Sequence, residues 1–195
     1  MDKNIWVVDD DESIRWVLEK GLVDSGMDVQ TFDSANKVIK KLETENPQLI
    51  LTDIRMPGPS GMDLLDKVKE LRPDIPVIIM TAHSDLDSAV ESYEHGAWEY
   101  LPKPFDIDEA VSMVRRATTQ DESNIEETSE TQAEVIGEAP AMQEVFRAIG
   151  KLSNSNSTVL LIGESGTGKE LVARALFQHS PRKDKPFIAL NMADI

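Results

Sequence analysis

From residue 4 to about 118 the chain alternates between two hydrophobic periods, and this alternation restricts its fold more than any other feature. Short runs of strand length occur at "IWVV" (5–8), "DVQTF" (28–32), "LILT" (49–52), "VIIM" (77–80) and "AWEYL" (97–101). Between them apolar residues recur at helical spacing. Ile14, Val17, Leu18 and Leu22 fall at i, i+3, i+4 and i+8, and Val38, Ile39 and Leu42 repeat the pattern. Leu64, Leu65, Val68 and Leu71 follow, then Leu86, Ala89, Val90 and Tyr93, then Ala110, Val111, Val114 and Ala117. Five strands and five helices in strict alternation predict an α/β fold: an open, doubly wound parallel sheet with helices on both faces. The third and fourth strands are continuous apolar runs, as expected of strands covered on both sides.

In such a sheet, ligands collect outside the carboxyl ends of the strands. The first strand ends in Asp9-Asp10-Asp11, the third in Thr52-Asp53 and the fourth in Thr81-Ala82, and Lys103-Pro104 follows the fifth. Carboxylates, a hydroxyl and an ammonium are thereby delivered to one rim. Clustered carboxylates repel and call for a cation. Mg²⁺ suits them, because it takes oxygen ligands and keeps waters for a phosphate. A carboxylate can also attack phosphorus and form an aspartyl-phosphate. Lys103 and Mg²⁺ would then neutralise the phosphoryl oxygens, and Thr81 would hydrogen-bond the new phosphate. An acidic run before a helix also has a simpler reading, as a solvated end complementing the helix dipole. The combination at four strand ends favours the phosphoryl site.

The motifs "VVDD", "LTDIRMPGPSG", "IIMTA" and "YLPKPF" resemble, in order and spacing, the receiver domain of two-component response regulators, a flavodoxin-like fold. The resemblance implies that Asp53 is the phosphoacceptor and that a sensor histidine kinase is the donor. It implies that Asp10, Asp53 and the backbone carbonyl of Arg55 hold Mg²⁺, with Asp9 assisting. Lys103 would contact the phosphate through a site whose Lys103–Pro104 bond is typically cis, and Thr81 and Tyr100 would be the switch pair. Three aspartates run together where the pattern needs two. Asp9 and Asp10 place Arg15 at the expected offset, and Asp11 is the alternative. A phosphatase of the haloacid dehalogenase type also uses an aspartate nucleophile with Mg²⁺, but it needs a second acid two residues on, where this chain has Arg55.

Residues 119–135 break the pattern. Asp121, Glu122, Glu126, Glu127, Glu130 and Glu134 meet no basic residue there, and Ile125 is the one large aliphatic before Val135. This composition buries little and predicts a flexible linker between an amino-terminal domain (1–118) and a second segment (136–195). In the second segment Ala141, Val145, Ala148 and Ile149 mark a helix, and "STVLLIG" (157–163) and "FIALN" (187–191) predict strands. Between those strands runs Gly163-Glu164-Ser165-Gly166-Thr167-Gly168-Lys169-Glu170, opening a helix over about 169–178. Glycines wrap a phosphate in backbone N–H groups, the helix turns its positive end to it, and Lys169 reaches the β- and γ-phosphates of ATP. A generic phosphate loop has Ser or Thr where Glu170 stands. With "IGEAPAMQEVF" and "PFIALNMA", the segment resembles the start of the AAA+ domain of sigma-54-dependent transcriptional activators, where glutamate at this position is usual. The chain then reads as an amino-terminal fragment of such an activator, with sigma-54 RNA polymerase and promoter DNA contacted through parts beyond it. A homodimer through the receiver is a further expectation, and the alternative is a stand-alone phospho-switch with a non-functional loop.

Composition excludes other classes. There are no cysteines, so disulfides and zinc–thiolate sites are ruled out and a reducing, cytoplasmic compartment is expected. His83, His95 and His179 lack metal-ligand spacing. A net charge of −16 argues against a nucleic-acid surface in this chain. No apolar run reaches membrane-spanning length.

Overall fold

The computed structural model describes residues 4–82, 86–119, 140–164 and 166–189. The expected alternation is present: β1 (Asn4–Val8), α1 (Glu12–Asp24), β2 (Asp28–Phe32), α2 (Ala35–Lys41), β3 (Leu49–Asp53), α3 (Gly61–Leu71), β4 (Val77–Thr81), α4 (Leu86–Glu94), β5 (Glu99–Pro102) and α5 (Ile107–Thr119). All pairings are parallel and the strand order is β2-β1-β3-β4-β5. The order reverses between β1 and β3, which opens a crevice at their carboxyl ends.

Strand geometry sends successive side chains to opposite faces. Along β1, Ile5 and Val7 join one core with Leu18 and Leu22 of α1 and Met113 and Val114 of α5. Trp6 and Val8 join the other core with Val38 of α2 and Leu64, Leu65 and Val68 of α3. Both faces are therefore sealed, and β3 and β4 are buried along their whole length. The fifth strand begins two residues later than the sequence suggests. Gly96, at φ +88°, ends α4, and Ala97 donates back to the Ser92 carbonyl before the ladder starts.

The second segment contributes α6 (Pro140–Ser153) and α7 (Lys169–Gln178). The strands expected at 157–163 and 187–191 do not form where the chain is described. Strand structure needs a neighbour for its N–H and C=O groups. The only sheet among the described residues is the five-stranded one, and Leu160, Ile162 and Ile188 lie exposed. Most of the acidic stretch 119–135 falls outside the described residues, and Thr119 closes α5.

Candidate functional site

Three of the residues singled out from the sequence converge at the crevice. Asp9 directly follows β1, Asp53 is the last residue of β3, and Lys103 directly follows β5. The Lys103 ammonium donates to Asp9 Oδ2 at 2.7 Å and to Asp53 Oδ1 at 2.6 Å. Both carboxylates are buried, so these are charge-assisted bonds in a poorly screened place. Asp53 Oδ2 accepts from the Arg55 backbone N–H at 2.7 Å, and Asp9 Oδ1 accepts from the Asp11 N–H at 2.9 Å. The Lys103–Pro104 peptide is cis.

The surrounding backbone is fixed by short-range features. The Arg15 guanidinium donates to the carbonyls of Asp9 and Asp10 at 2.7 and 3.0 Å, which ties the β1–α1 turn to the helix. Thr81 is buried at the end of β4, and its carbonyl accepts from the Lys103 N–H at 2.7 Å. At the start of α3, a Cβ on Gly61 would stand 2.0 Å from the Asp53 carbonyl oxygen. Only glycine lets that helix abut the end of β3. Ser60 and Asp63 form a capping box there.

The charge balance is unequal. Burial raises the pKa of Asp9, and the Lys103 hydrogen bond offsets only part of that rise. Burial also pulls the Lys103 ammonium down, but its bonds to Asp53 and Asp9 outweigh this and leave its pKa raised. One ammonium thus faces the buried Asp9 and Asp53, with a third acid, Asp10, exposed beside them. Among the described residues, no three acidic or histidine side chains are arranged so that they alone could hold a metal ion. Asp11, the alternative, caps α1: its side chain accepts from the Ser13 N–H at 2.7 Å, which holds its pKa below the usual carboxylate range. Arg55 is exposed, and Tyr100 is buried in β5 beside Ala89 and Tyr93.

Glu99 was not anticipated as a functional residue. Its carboxylate is buried within β5 and binds the Tyr93 hydroxyl and the Lys151 ammonium. A charged residue inside the apolar run "AWEYL" was the available signal.

The phosphate-loop motif of the second segment is shaped locally. Gly166 and Gly168 both have φ +86°, and Gly168 is the residue from which α7 starts. Lys169 curls back over the loop and donates to the carbonyls of Gly163 and Glu164 at 2.8 and 2.6 Å. Thr167 Oγ1 donates to the same Glu164 carbonyl at 2.8 Å. Glu170 pairs with Arg174 one turn along the helix, at 2.8 Å. Ser165 lies outside the described residues.

Residues 5–115 match the family described as the response regulator receiver domain. The chain belongs to that family. Its receiver is followed, over residues 135–195, by a match to the sigma-54 interaction domain. The DNA-binding transcriptional regulator NtrC of Klebsiella pneumoniae is 59% identical over 195 residues, covering 97% of this chain and 41% of the relative. The protein of that name from Azospirillum brasilense is 44% identical, covering 98% and 41%. The chain spans about two-fifths of the length of these curated relatives. Among solved structures, the BeF3-activated receiver domain of nitrogen regulatory protein C is 56% identical, with a TM-score of 0.53, covering 60% of this chain and 95% of that one. NtrX from Brucella abortus in complex with ATP is 31% identical with a TM-score of 0.58, covering 100% of this chain and 44% of that one. No helix among the described residues is long and apolar enough to cross a membrane.

Proposed function

We propose that the receiver is a phosphoacceptor switch, that Asp53 takes the phosphoryl group of a sensor histidine kinase, and that the parent protein is a sigma-54-dependent transcriptional activator of nitrogen regulation. The observation that carries this reading is the buried Asp53 carboxylate held 2.6 Å from Lys103 at the crevice of a doubly wound sheet. A carboxylate oxygen of Asp53 forms the new O–P bond as the N–P bond of a phosphohistidine breaks. The departing imidazole nitrogen keeps the bonding pair and takes up a proton. Lys103 stays charged, because its pKa is raised, and so moves between carboxylate and phosphoryl oxygens without giving up a proton. Thr81 and Tyr100, at the ends of β4 and in β5, are the proposed switch residues.

The donor set suits Mg²⁺. It consists of hard oxygens, and the buried Asp9 and Asp53 carboxylates share the single Lys103 ammonium. Asp10, Asp53 and the Arg55 carbonyl would hold the ion, with Asp9 behind them. When bound, the ion would supply charge neutralisation for the phosphoryl oxygens.

Incubation with acetyl phosphate and Mg²⁺, followed by intact-mass analysis, tests the assignment. One phosphoryl adduct is expected on the wild-type chain and none on Asp53→Asn. Equal labelling of both would overturn it.

For the second segment we infer ATP binding at Gly163–Glu170, with Lys169 exchanging the loop carbonyls for phosphate oxygens. The likeness to an ATP-bound NtrX supports this. Contact with sigma-54 polymerase and promoter DNA would belong to the longer parent. A second reading is a phospho-switch whose loop is idle. The exposed Val159, Leu160 and Ile162, which join no strand, and the self-bonded Lys169 favour it. A fluorescent ATP analogue separates them: saturable binding lost in Lys169→Ala supports the first, and no binding by either protein supports the second.

A further inference from the structure

Arg15 stands where a helix does not favour a cation. It is the fourth residue of α1, near the positive end of the helix dipole. Side chains on a helix lean towards its amino end, and Arg15 reaches back beyond the Asp11 cap to the end of β1. The carbonyls it meets lie between two ladders. The sheet pairing of β1 ends at Val8 on both sides. The helical bonds begin with the Asp11 carbonyl, which accepts from the Arg15 N–H at 3.1 Å. The Asp9 and Asp10 carbonyls fall in the gap, and one nitrogen, Arg15 Nη1, donates to both, at 2.7 and 3.0 Å.

The consequence falls on Asp10. The peptide planes on either side of an α-carbon define its φ and ψ. For Asp10 one plane carries the Asp9 carbonyl and the other carries its own. A nitrogen bonded to both therefore sets the Asp10 backbone and the direction of its Cβ. The neighbouring carboxylates are held by other means. Asp9 has Lys103 and the Asp11 N–H, and Asp11 has the Ser13 N–H. Asp10 is exposed, and among the described residues its carboxylate has no hydrogen-bond or ion-pair partner. Its aim depends on the backbone that Arg15 fixes.

We propose that Arg15 is a positioning residue for Mg²⁺: by clamping both peptide groups of Asp10, it presents that carboxylate to the ion beside Asp53. This rests on the metal assignment above. Arg15 does not touch the ion, since both are cations, and its charge opposes binding. A role through charge and a role through geometry therefore predict opposite signs. Removing the guanidinium tightens Mg²⁺ binding if only its field matters. It weakens binding if the clamp orients a metal ligand.

Titration of the full chain with Mg²⁺, followed through the backbone amide NMR shifts of residues 9–11 and 53–55, tests this. Arg15→Met is expected to raise the Mg²⁺ concentration at half-saturation about tenfold, the lower end for groups that orient metal ligands. Arg15→Lys keeps the charge on a shorter side chain and should fall between Arg15→Met and wild type. With acetyl phosphate, the Arg15→Met phosphorylation rate should drop at low Mg²⁺ and reach the wild-type value at saturating Mg²⁺. Gly21→Ala controls for general loosening of α1, because its Cβ would stand 2.4 Å from Ile107 Cγ1. It should lower the urea midpoint and leave Mg²⁺ affinity unchanged. Half-saturation of Arg15→Met at or below the wild-type concentration, a rate that stays low at saturating Mg²⁺, or an equal loss of affinity in Gly21→Ala overturns the positioning role alone. No Mg²⁺-dependent shifts in the wild type, or wild-type affinity in Asp10→Asn, overturns the metal assignment and the positioning role with it.

Discussion

The receiver and the second segment each place an anion-directed loop between an apolar run and a helix, and they stabilise it by opposite means. At the β3–α3 junction the sheet does the positioning. Asp53 is buried, Gly61 is pressed against its carbonyl, and Ser60 and Asp63 satisfy the first turn of α3. The described residues leading into α7 join no sheet. The loop is set by two glycines in the left-handed region and by Lys169 folded onto the loop's own carbonyls, and the residues leading in are exposed. Local chemistry is enough to shape a phosphate loop, whereas burying an acidic nucleophile needs long-range pairing.

The widest gap should appear in the apolar runs themselves. Leu51 in β3 is fully buried, while Leu160 is 81% exposed. Leu51→Ala is expected to cost about 3 kcal/mol of receiver stability, and Leu160→Ala less than about 0.5 kcal/mol. Urea denaturation monitored by far-UV circular dichroism gives both numbers. Comparable losses would mean that 157–163 is packed as a strand after all.

Next come the glycines. Gly61→Ala sets a Cβ against rigid backbone at 2.0 Å, and Gly163→Ala sets one 2.9 Å from the movable Thr167 hydroxyl. The first should lose about 2 kcal/mol and weaken beryllofluoride binding, because the end of β3 moves. The second should leave receiver stability unchanged. A tolerated Gly61→Ala would show that α3 is free to slide.

The two lysines separate the regions by pH. Lys103→Met leaves Asp9 and Asp53 without their cation and is expected to cost about 2 kcal/mol at neutral pH, whereas Lys169→Met costs under about 0.5 kcal/mol. The folded-state pKa of Lys103 is raised above its ordinary 10.5. Its stabilisation is therefore complete below 10.5 and is lost as pH rises through the elevated value. Wild type and Lys103→Met should converge in stability there. A gap that persists at higher pH would assign the effect to packing rather than charge.

These contrasts explain what the sequence made legible. All five receiver strands and helices follow from period, because each sets apolar residues against a core, even β2, whose Val29 and Phe32 are only partly buried. Asp53, Asp9 and Lys103 follow from their place at strand ends, since the topology gathers those ends. The strands expected at 157–163 and 187–191 do not form over 157–163 and 187–189, because apolar runs show readiness to pair and say nothing of a partner. Spacing to Arg15 favours Asp9 and Asp10 and leaves Asp11 as the alternative, and only the turn geometry shows that the Asp11 carboxylate caps α1. For Glu99 the charge inside "AWEYL" is a local signal of burial, but its partner Lys151 lies far along the chain and spacing does not name it.

The smallest expected effect concerns the helix starts, and it isolates how the two loops differ. Ser60 caps α3 with its side chain, whereas α7 starts from Gly168 with no side-chain cap. Ser60→Ala should cost about 1 kcal/mol, and Ser60→Gly only a few tenths, because glycine leaves the first N–H groups open to water. Asp63 adds a pH signature. The Ser60 side chain, followed by its backbone N–H, holds the Asp63 pKa below 3.8. The capping contribution is therefore present above 3.8 and is lost as pH falls through the depressed value. The difference between wild type and Ser60→Ala should shrink across that acid range in equilibrium urea titrations. If it stays constant, the Asp63 carboxylate contributes nothing to the cap, and the Ser60 hydroxyl caps α3 by itself.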